Sequence, residues 1–419
     1  MERPYGNISG KHILIIVENL PVPFDRRVWQ EATTLKESGA DVSIICPIMK
    51  GYTARYERLE GIDIYRHPLA TEASGALGYL LEYGSAIFWW YVLSIRIFFK
   101  KRFDVIHGCN PPDLIFIVAL FFKLFGVKYV FDHHDINPEL YIAKYGRKDF
   151  LYRVMLWLEK VTFQVADYSI ATNESYKEIA IRRGGMPADK VVVVRSGPKL
   201  ERLKLGAGNA QYKKGRSYLI GYLGVIGEQE GIDLLLDSVQ KIVAKRQDVQ
   251  FAIVGGGTSV DTLKELTRKM NLADYVDFYG RVEDALMLDI LNTADVCVNP
   301  DKPTEMNNLS TMNKIMEYMA LKKPIVQFDL KEGRFSAQKA SLYASGEDTG
   351  EFADKIMYLL DNPSVRQEMG EFGYRRVVNE LSWTYERTKL LSLYDRVLAT
   401  VRKAVSTDRP VAKTAEVAS

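Results

Sequence analysis

Residues 12–46 read HILIIVENLPVPFDRRVWQEATTLKESGADVSIIC. A short apolar run, His12–Val17, is followed by a turn with two prolines, a helix-length segment Arg27–Glu37, a glycine stop at Gly39 and a second apolar run, Val42–Cys46. Short apolar runs alternating with helix-length segments are the pattern of βαβ units on a parallel sheet. Further runs at Ile62–Tyr65, Val105–His107, Val127–Phe131, Tyr168–Ala171 and Val191–Val194 extend the series into one doubly wound sheet. A second series, Leu219–Leu223, Gln250–Val254, Val276–Tyr279, Val296–Val298 and Ile325–Phe328, starts after a basic, Gly-bearing stretch. The expectation is two similar α/β domains, 1–198 and 218–381, with a linker at 199–217. Leu390, Leu391, Leu393, Tyr394 and Val397 then sit at helical spacing in a C-terminal helix, 382–403, expected to pack back across the domains. The tail, 404–419, lacks the apolar content to pack and is expected to be disordered.

Composition narrows the function classes. With 419 residues and 47% hydrophobic content the chain can bury more than one core. Lys and Arg total 56 against 53 Asp and Glu, so the formal charge of +3 argues against a dedicated nucleic-acid binder. Three widely spaced cysteines, Cys46, Cys109 and Cys297, suit neither a disulfide framework nor a zinc knuckle and fit a reducing compartment. The polar Met1–Lys11 segment carries no apolar signal core, so a cytoplasmic location is expected.

Gly75–Phe99 is dense in apolar residues and runs into Lys100, Lys101 and Arg102. Glu82 and Arg96 interrupt it, leaving too short an apolar run to span a bilayer. Two readings stay open: an interfacial helix inserting Trp89, Trp90, Phe98 and Phe99 into an anionic membrane surface with Lys123 in its cationic rim, or a buried helix of an α/β layer.

Ligands of open α/β sheets bind beyond the carboxyl ends of the strands, so the loops there hold the candidate chemistry. In the first, Asp25, Arg26 and Arg27 stand at a helix start, where a cation opposes the dipole and points to an anion nearby. Residues 132–139 place three carboxylates and two imidazoles in one loop, among them His133, His134 and Asp135; hydrogen bonding to a polyol is preferred there over a metal site. The Gly221–Gly231 loop, with Gly224 and Val225, and the Gly255–Gly257 cluster would let backbone amides approach phosphate oxygens. Ser310 is read as the N-cap of a helix over Thr311–Leu321. Free amides at Thr311, Met312 and Asn313, with Lys314 and Glu317, suit a diphosphate joined to a ribose. The G-x-G-x-x-G fingerprint opening the first βαβ unit is missing, against a nicotinamide enzyme.

These stretches, with Phe278–Arg281 and Ser382-Trp-Thr, resemble the family-4 glycosyltransferases, in the branch that builds bacterial surface polysaccharides, over nearly the whole chain. The resemblance implies a GT-B fold, two doubly wound Rossmann-like α/β domains facing a central cleft. It implies retaining, metal-independent transfer of a sugar from a nucleotide diphosphate, a UDP-sugar foremost, to a lipid-linked or polysaccharide acceptor at the inner membrane face, without a cofactor. His134 would lie near the sugar and Glu317 on the nucleotide ribose, with Asp135 beside them as the catalytic group. Arg281 joins Gly224, Val225 and Ser310 to Lys314 on the donor side, and Asp25, Arg26, Arg27 and His133 fall on the acceptor side. Three departures stand out: Leu309 replaces the family's first Glu, and Val225 and Glu230 replace the Arg and Lys that grip the diphosphate. No Asp-x-Asp pair is present to hold a divalent ion. The alternative reading is a non-catalytic partner of this fold with a degraded donor site.

Overall fold

The computed structural model describes residues 6–69 and 76–407. The chain forms two compact units: the first holds residues up to 142, 147–194 and those from 387 onward, and the second holds Ala143–Gly146 and Arg195–Glu386.

The first unit is built on β1 (His12–Val17), β2 (Asp41–Pro47), β3 (Tyr56–Leu59), β4 (Ile62–His67), β5 (Val105–Cys109), β6 (Lys128–His133), β7 (Tyr168–Ala171) and β8 (Val191–Val193). They form one 8-stranded sheet in the order β3-β4-β2-β1-β5-β6-β7-β8. Every pairing is parallel except β3 with β4. The second unit carries β9 (Tyr218–Leu223), β10 (Val249–Val254), β11 (Val276–Gly280), β12 (Val296–Asn299), β13 (Ile325–Phe328) and β14 (Ser341–Ala344), all parallel, in the order β11-β10-β9-β12-β13-β14. β3 escapes the sequence reading because it is a four-residue edge strand whose residues alternate between exposed and half-buried; β14 is equally short. In each sheet the chain reverses its winding direction once, between β1 and β5 and between β9 and β12, and those gaps are the switch points where ligands of this architecture bind.

The central strands are mostly apolar because helices cover both sheet faces: β1, with all six residues buried, is the clearest case. In the second unit, one cluster packs the Ile232–Val243 and Thr349–Asp361 helices on one face. Another packs the Asp284–Thr293 and Asn313–Ala320 helices on the other.

Residues 199–217 belong to the second unit, where a short turn at Ala210–Lys213 buries Tyr212 against Leu219 and Ile290. The C-terminal helix runs Trp383–Thr407, four residues beyond its expected end; of the tail expected to be disordered, 408–419 lie outside the described residues.

The apolar Ala76–Lys100 helix buries one apolar stripe and exposes another. Ala86, Trp90, Leu93 and Ile97 are buried, while Leu81, Phe88, Val92, Ile95 and Phe99 are exposed. Trp90, which the interfacial reading would insert into a membrane, is in the core with its Nε1 donating to Glu18 (2.8 Å), as the buried-helix reading has it for this residue. Trp89 is half-buried, and Phe98 packs edge-on against Phe103. Leu120, Phe121, Leu124 and Phe125, on and just after the neighbouring Phe116–Lys123 helix, add to the exposed apolar surface. Among the described residues no helix is long and apolar enough to cross a membrane.

Candidate functional site

In the first unit the site grows from the helix after β1. Asp25 caps it, accepting from Val28 N (3.1 Å), so this carboxylate is engaged by the helix backbone. Two residues after the cap, Arg27 turns inward toward the carboxyl edge of the sheet, where its unfavourable position on the dipole is offset by pairing with buried Asp132 and Glu31. Arg27 Nη2 lies 2.9 Å from Asp132 Oδ1 and 3.0 Å from Glu31 Oε1, and Nη1 donates to Val194 O (3.0 Å). The anion foreseen near Arg26 and Arg27 is therefore supplied for Arg27 by the protein; Arg26 stays exposed.

Asp132 is the hub. Its Oδ2 receives His134 Nε2 at 2.5 Å and His107 Nε2 at 3.2 Å. Burial alone would raise its pKa, but Arg27, His134 and the imidazole hydrogen bonds more than offset this and hold the carboxyl well below the usual carboxylate range. Glu31 goes the other way. Burial pushes it well above its ordinary value, with the Asp132 charge adding and Arg27 opposing. His134 is anchored further by its backbone N, which donates to Asn110 Oδ1 (2.7 Å), as does Asp135 N (3.1 Å). Asn110 and Asn137 in turn donate to Asp113 (2.9 and 2.6 Å), whose pKa burial raises to about 6.

His133 and His134 point to opposite sides of the strand end, as the pleat requires. His133 is fully buried among Phe131, Phe163 and Tyr176, with ring centroids 5.0–5.4 Å away, and burial lowers its pKa to about 3. It is a core histidine, away from any exposed acceptor surface. Glu31, Asp132 and His134, or His107, Cys109 and Asp132, lie close enough to bind a metal ion. The first set does not fit a cation well, because the Arg27 guanidinium already sits against both of its carboxyl groups, and the second is fully buried with burial raising its thiol pKa.

In the second unit the Gly221–Gly231 loop follows β9, and backbone crowding explains the glycines. Gly255, at φ +139°, would place a Cβ 1.7 Å from Gly224 O, and a Cβ on Gly257 would sit 2.2 Å from Ile226 O. The Gly255–Gly257 cluster thus lets two loops pack backbone to backbone: Gly224 N donates to Val254 O (3.0 Å) and Ile226 N to Gly256 O (3.1 Å). Val225 is exposed at the loop tip, and Glu230 folds back to accept from Gly227 N (3.0 Å).

Ser310 is not the N-cap of the helix beyond it. It closes a short helix, Glu305–Leu309, donating to Met306 O (2.7 Å), and the next helix starts at Asn313 with Met312 as its cap. Met312 brings no capping oxygen to the first-turn amides. Lys314 is nearly buried: its Nζ lies 2.8 Å from Asp301 Oδ1 and 4.8 Å from the Tyr222 ring centroid. Burial works against its charge, yet Asp301 holds it protonated, and its pKa is raised. Glu317 is ion-paired with Arg202, which also reaches Asp284 (3.4 Å). Arg281 is exposed on the loop after β11. A further cation was missed: Arg195, buried, stacks 4.1 Å over Phe335 and approaches Glu332 (3.3 Å) and Thr311 Oγ1 (3.4 Å).

Glu31 and His107 were not singled out from sequence, Asp132 entered only as one carboxylate of the 132–139 loop, and Tyr394 only as a packing residue of the C-terminal helix. The available signal was a polar residue amid each apolar run: His107 and Asp132 interrupt β5 and β6, and Glu31 lies one turn from Arg27 on a helix face shared with Val28 and Leu35.

A model of the glycosyl transferase 4-like domain matches residues 25–197, and one of glycosyl transferases group 1 matches 217–362. The capsular polysaccharide biosynthesis glycosyltransferase CapM of Staphylococcus aureus is 25% identical over 333 residues, 73% of this chain and 80% of that protein. The probable glycosyltransferase WbjE of Pseudomonas aeruginosa is 26% identical over 257 residues, 59% of this chain and 63% of its own. Among solved structures, the sucrose-phosphate synthase of Thermosynechococcus elongatus matches with a TM-score of 0.75 at 19% identity, covering 93% of this chain and 100% of that one. HepE of Anabaena in complex with UDP matches at 0.67 and 14% identity, covering 95% and 100%. At these identities the structural likeness bears on the fold.

Proposed function

Because the chain belongs to the GT-B glycosyltransferases, of the type that builds bacterial surface polysaccharide, we propose that it moves a sugar from a nucleotide diphosphate, a UDP-sugar foremost, to a lipid-linked or polysaccharide acceptor with retention of configuration. The observation that carries this reading is His134, held at the carboxyl edge of β6 by Asp132 and Arg27 and only partly covered. An imidazole oriented in this way suits a sugar hydroxyl beside the reacting carbon. HepE, a neighbour in fold, binds UDP, which supports a uridine nucleotide as the first donor to try.

On the donor side, the diphosphate meets the N-terminal amides of the Asn313–Ala320 helix, with Lys314 as its cation and Glu317 on the ribose. Charge developing on the departing diphosphate is stabilised by these fixed dipoles and Lys314, with no metal required. Asp25, Arg26 and Arg27 stay with the acceptor side. Asp135, beside His134, is raised by burial and would share in orienting the sugar.

The acceptor is membrane-anchored in this reading, and the protein docks through the exposed stripe of the Ala76–Lys100 helix. Phe88, Val92, Ile95 and Phe99 recur at intervals of four, three and four residues, one face of a helix, and Arg96, Lys100, Lys101 and Arg102 border it. Anionic head groups match that charge.

One observation favours a second reading, a donor site that binds without turnover: Lys314 is already neutralised by Asp301, and Leu309, Val225 and Glu230 supply no replacement charge. The test is a panel of nucleotide sugars, scored first by protection against thermal unfolding and then by sugar transfer to a lipid-linked saccharide. Transfer from one donor supports the enzyme; protection with neither transfer nor hydrolysis supports the binding protein. No protection by any nucleotide sugar sinks both.

A further inference from the structure

We propose that Tyr394 and His107 are positioning residues for His134, fixing through Asp132 which of its ring nitrogens carries the proton. For its bearing on turnover this rests on the transferase reading above; the geometry stands by itself. Tyr394 lies on the Trp383–Thr407 helix, in the part that belongs to the first unit, and its Oη is 2.6 Å from His107 Nδ1. His107 Nε2 is 3.2 Å from Asp132 Oδ2, and that same oxygen is 2.5 Å from His134 Nε2. Tyr394, His107 and Asp132 are all fully buried, so water does not compete for any of these contacts.

The protons can be counted along the chain. Burial pushes the Tyr394 phenol well above its ordinary value, so it keeps its hydrogen and donates it to His107 Nδ1. Burial also lowers His107, so it is neutral and has one ring proton. With Nδ1 accepting, that proton sits on Nε2 and is donated to Asp132. The ionised Asp132 accepts from His134 Nε2 at 2.5 Å, which places His134's proton on Nε2 and leaves Nδ1 as its basic nitrogen. Arg27 Nε donates toward the same nitrogen at 3.0 Å and so competes with Asp132 for His134 Nε2, while Arg27 Nη2 holds the other Asp132 oxygen; the hold of the relay on Asp132 decides that competition. The remaining groups facing the relay are Glu31, whose Oε2 is 3.5 Å from His107 Nε2, and Cys109 on the same strand as His107. Burial raises the pKa of both, and neither stands in for the hydrogen bond of the Tyr394 hydroxyl to His107 Nδ1.

Removing the Tyr394 hydroxyl leaves His107 Nδ1 without its donor. The His107 ring is then no longer fixed at Nδ1, its bond to Asp132 loosens, and the competition of Asp132 and Arg27 for His134 Nε2 changes. The effect is transmitted through the relay, because Tyr394 touches His107 and not His134.

The chain has five histidines, so nitrogen-resolved imidazole NMR of the full-length protein can be assigned by single substitutions. Wild-type His134 is expected to show a protonated Nε2 and an unprotonated Nδ1 at pH 7.5. Tyr394→Phe should move both His134 nitrogen signals toward the tautomer average and lower kcat about tenfold with donor KM unchanged, the scale on which orienting partners of a functional imidazole act. Leu391→Ala, which loosens the packing of the same helix without touching His107, should leave the His134 signals in place. His107→Gln keeps an acceptor for Tyr394 and a donor for Asp132 and should preserve the His134 pattern, whereas His107→Leu should lose it; this pair serves if Tyr394→Phe does not fold. Unchanged His134 signals in Tyr394→Phe or His107→Leu overturn the relay, and so does an equal shift in Leu391→Ala. A shifted pattern in a chain that transfers no sugar keeps the relay and removes only the transferase reading.

Discussion

Lys314 Nζ lies 2.8 Å from Asp301 Oδ1, with Asp301 almost wholly buried and Lys314 nearly so. The cation read from the sequence as the grip on a diphosphate is thus also half of a buried ion pair, and removing it strands a carboxylate. Lys314→Ala is therefore expected to destabilise the protein by about 3–5 kcal/mol, the cost of leaving one partner of a buried pair unmatched. Adding Asp301→Asn should recover part of that loss in urea melts. If the recovered double variant still binds UDP as tightly as the wild type, Lys314 has no part in donor binding.

Glu317 shares its carboxylate with Arg202. Glu317→Gln keeps the shape and weakens both that pair and any hydrogen bond accepted from a ribose. Affinity measured by calorimetry should fall about fivefold to tenfold for a ribonucleotide, equivalent to a net hydrogen bond of about 1–1.5 kcal/mol, and much less for the 2′-deoxy analogue. Equal losses would place Glu317 away from the sugar of the nucleotide.

His134→Ala should cut turnover about 100-fold or more, in the range that positioned imidazoles contribute, with nucleotide affinity changed little. Chelator should leave wild-type activity unaltered. Activity lost in chelator and restored by one divalent ion would show that a metal takes part.

His133 provides a pH test of stability. Its pKa is lowered by burial to about 3 in the folded chain, against an ordinary value of 6.5. A base depressed by folding contributes stability above the unfolded value that is lost as the pH falls toward the folded one, so protons favour the unfolded chain between pH 6.5 and 3. The slope approaches about 1.4 kcal/mol per pH unit for this one group. His133→Phe, which retains the ring packing with Phe131, Phe163 and Tyr176, should flatten the acid limb of the stability curve. Parallel curves for variant and wild type between pH 6 and 4 would contradict the burial assigned to His133.

The exposed stripe makes the membrane proposal specific. Phe88, at 60% exposure, and Phe99, at 86%, should be replaceable by Ser without loss of stability, and flotation with anionic vesicles should drop with that pair and again when Lys100, Lys101 and Arg102 are neutralised. Trp90→Phe, by contrast, removes the hydrogen bond to Glu18 inside the core and should lower stability by about 1.5–3 kcal/mol, as a lost hydrogen bond to a charged group does. Flotation that ignores the Phe88 and Phe99 changes would move the docking surface elsewhere.

The alternation of short apolar runs with helix-length segments determined the two parallel sheets, because a strand covered on both faces must be apolar along its whole length and its crossovers must be helical. Chain order and local spacing likewise placed the loops that end at the carboxyl edges. Tertiary structure alone decided what the charges in those loops do. Arg27, Asp132, His107 and Tyr394 come from separate segments, and nothing in their own neighbourhoods says they meet; the order of β1, β5 and β6 in the sheet brings three of those segments side by side. The same holds for Lys314 and Asp301, read as a diphosphate-binding cation and an unremarked acid until the fold buried them together. Helical spacing marked the Ala76–Lys100 helix as apolar on more than one face, but only its neighbours selected the inward face. Trp90 went to Glu18 and Phe99 to the outside, because a helix has room for one buried stripe against a sheet and the remainder of its apolar surface stays uncovered.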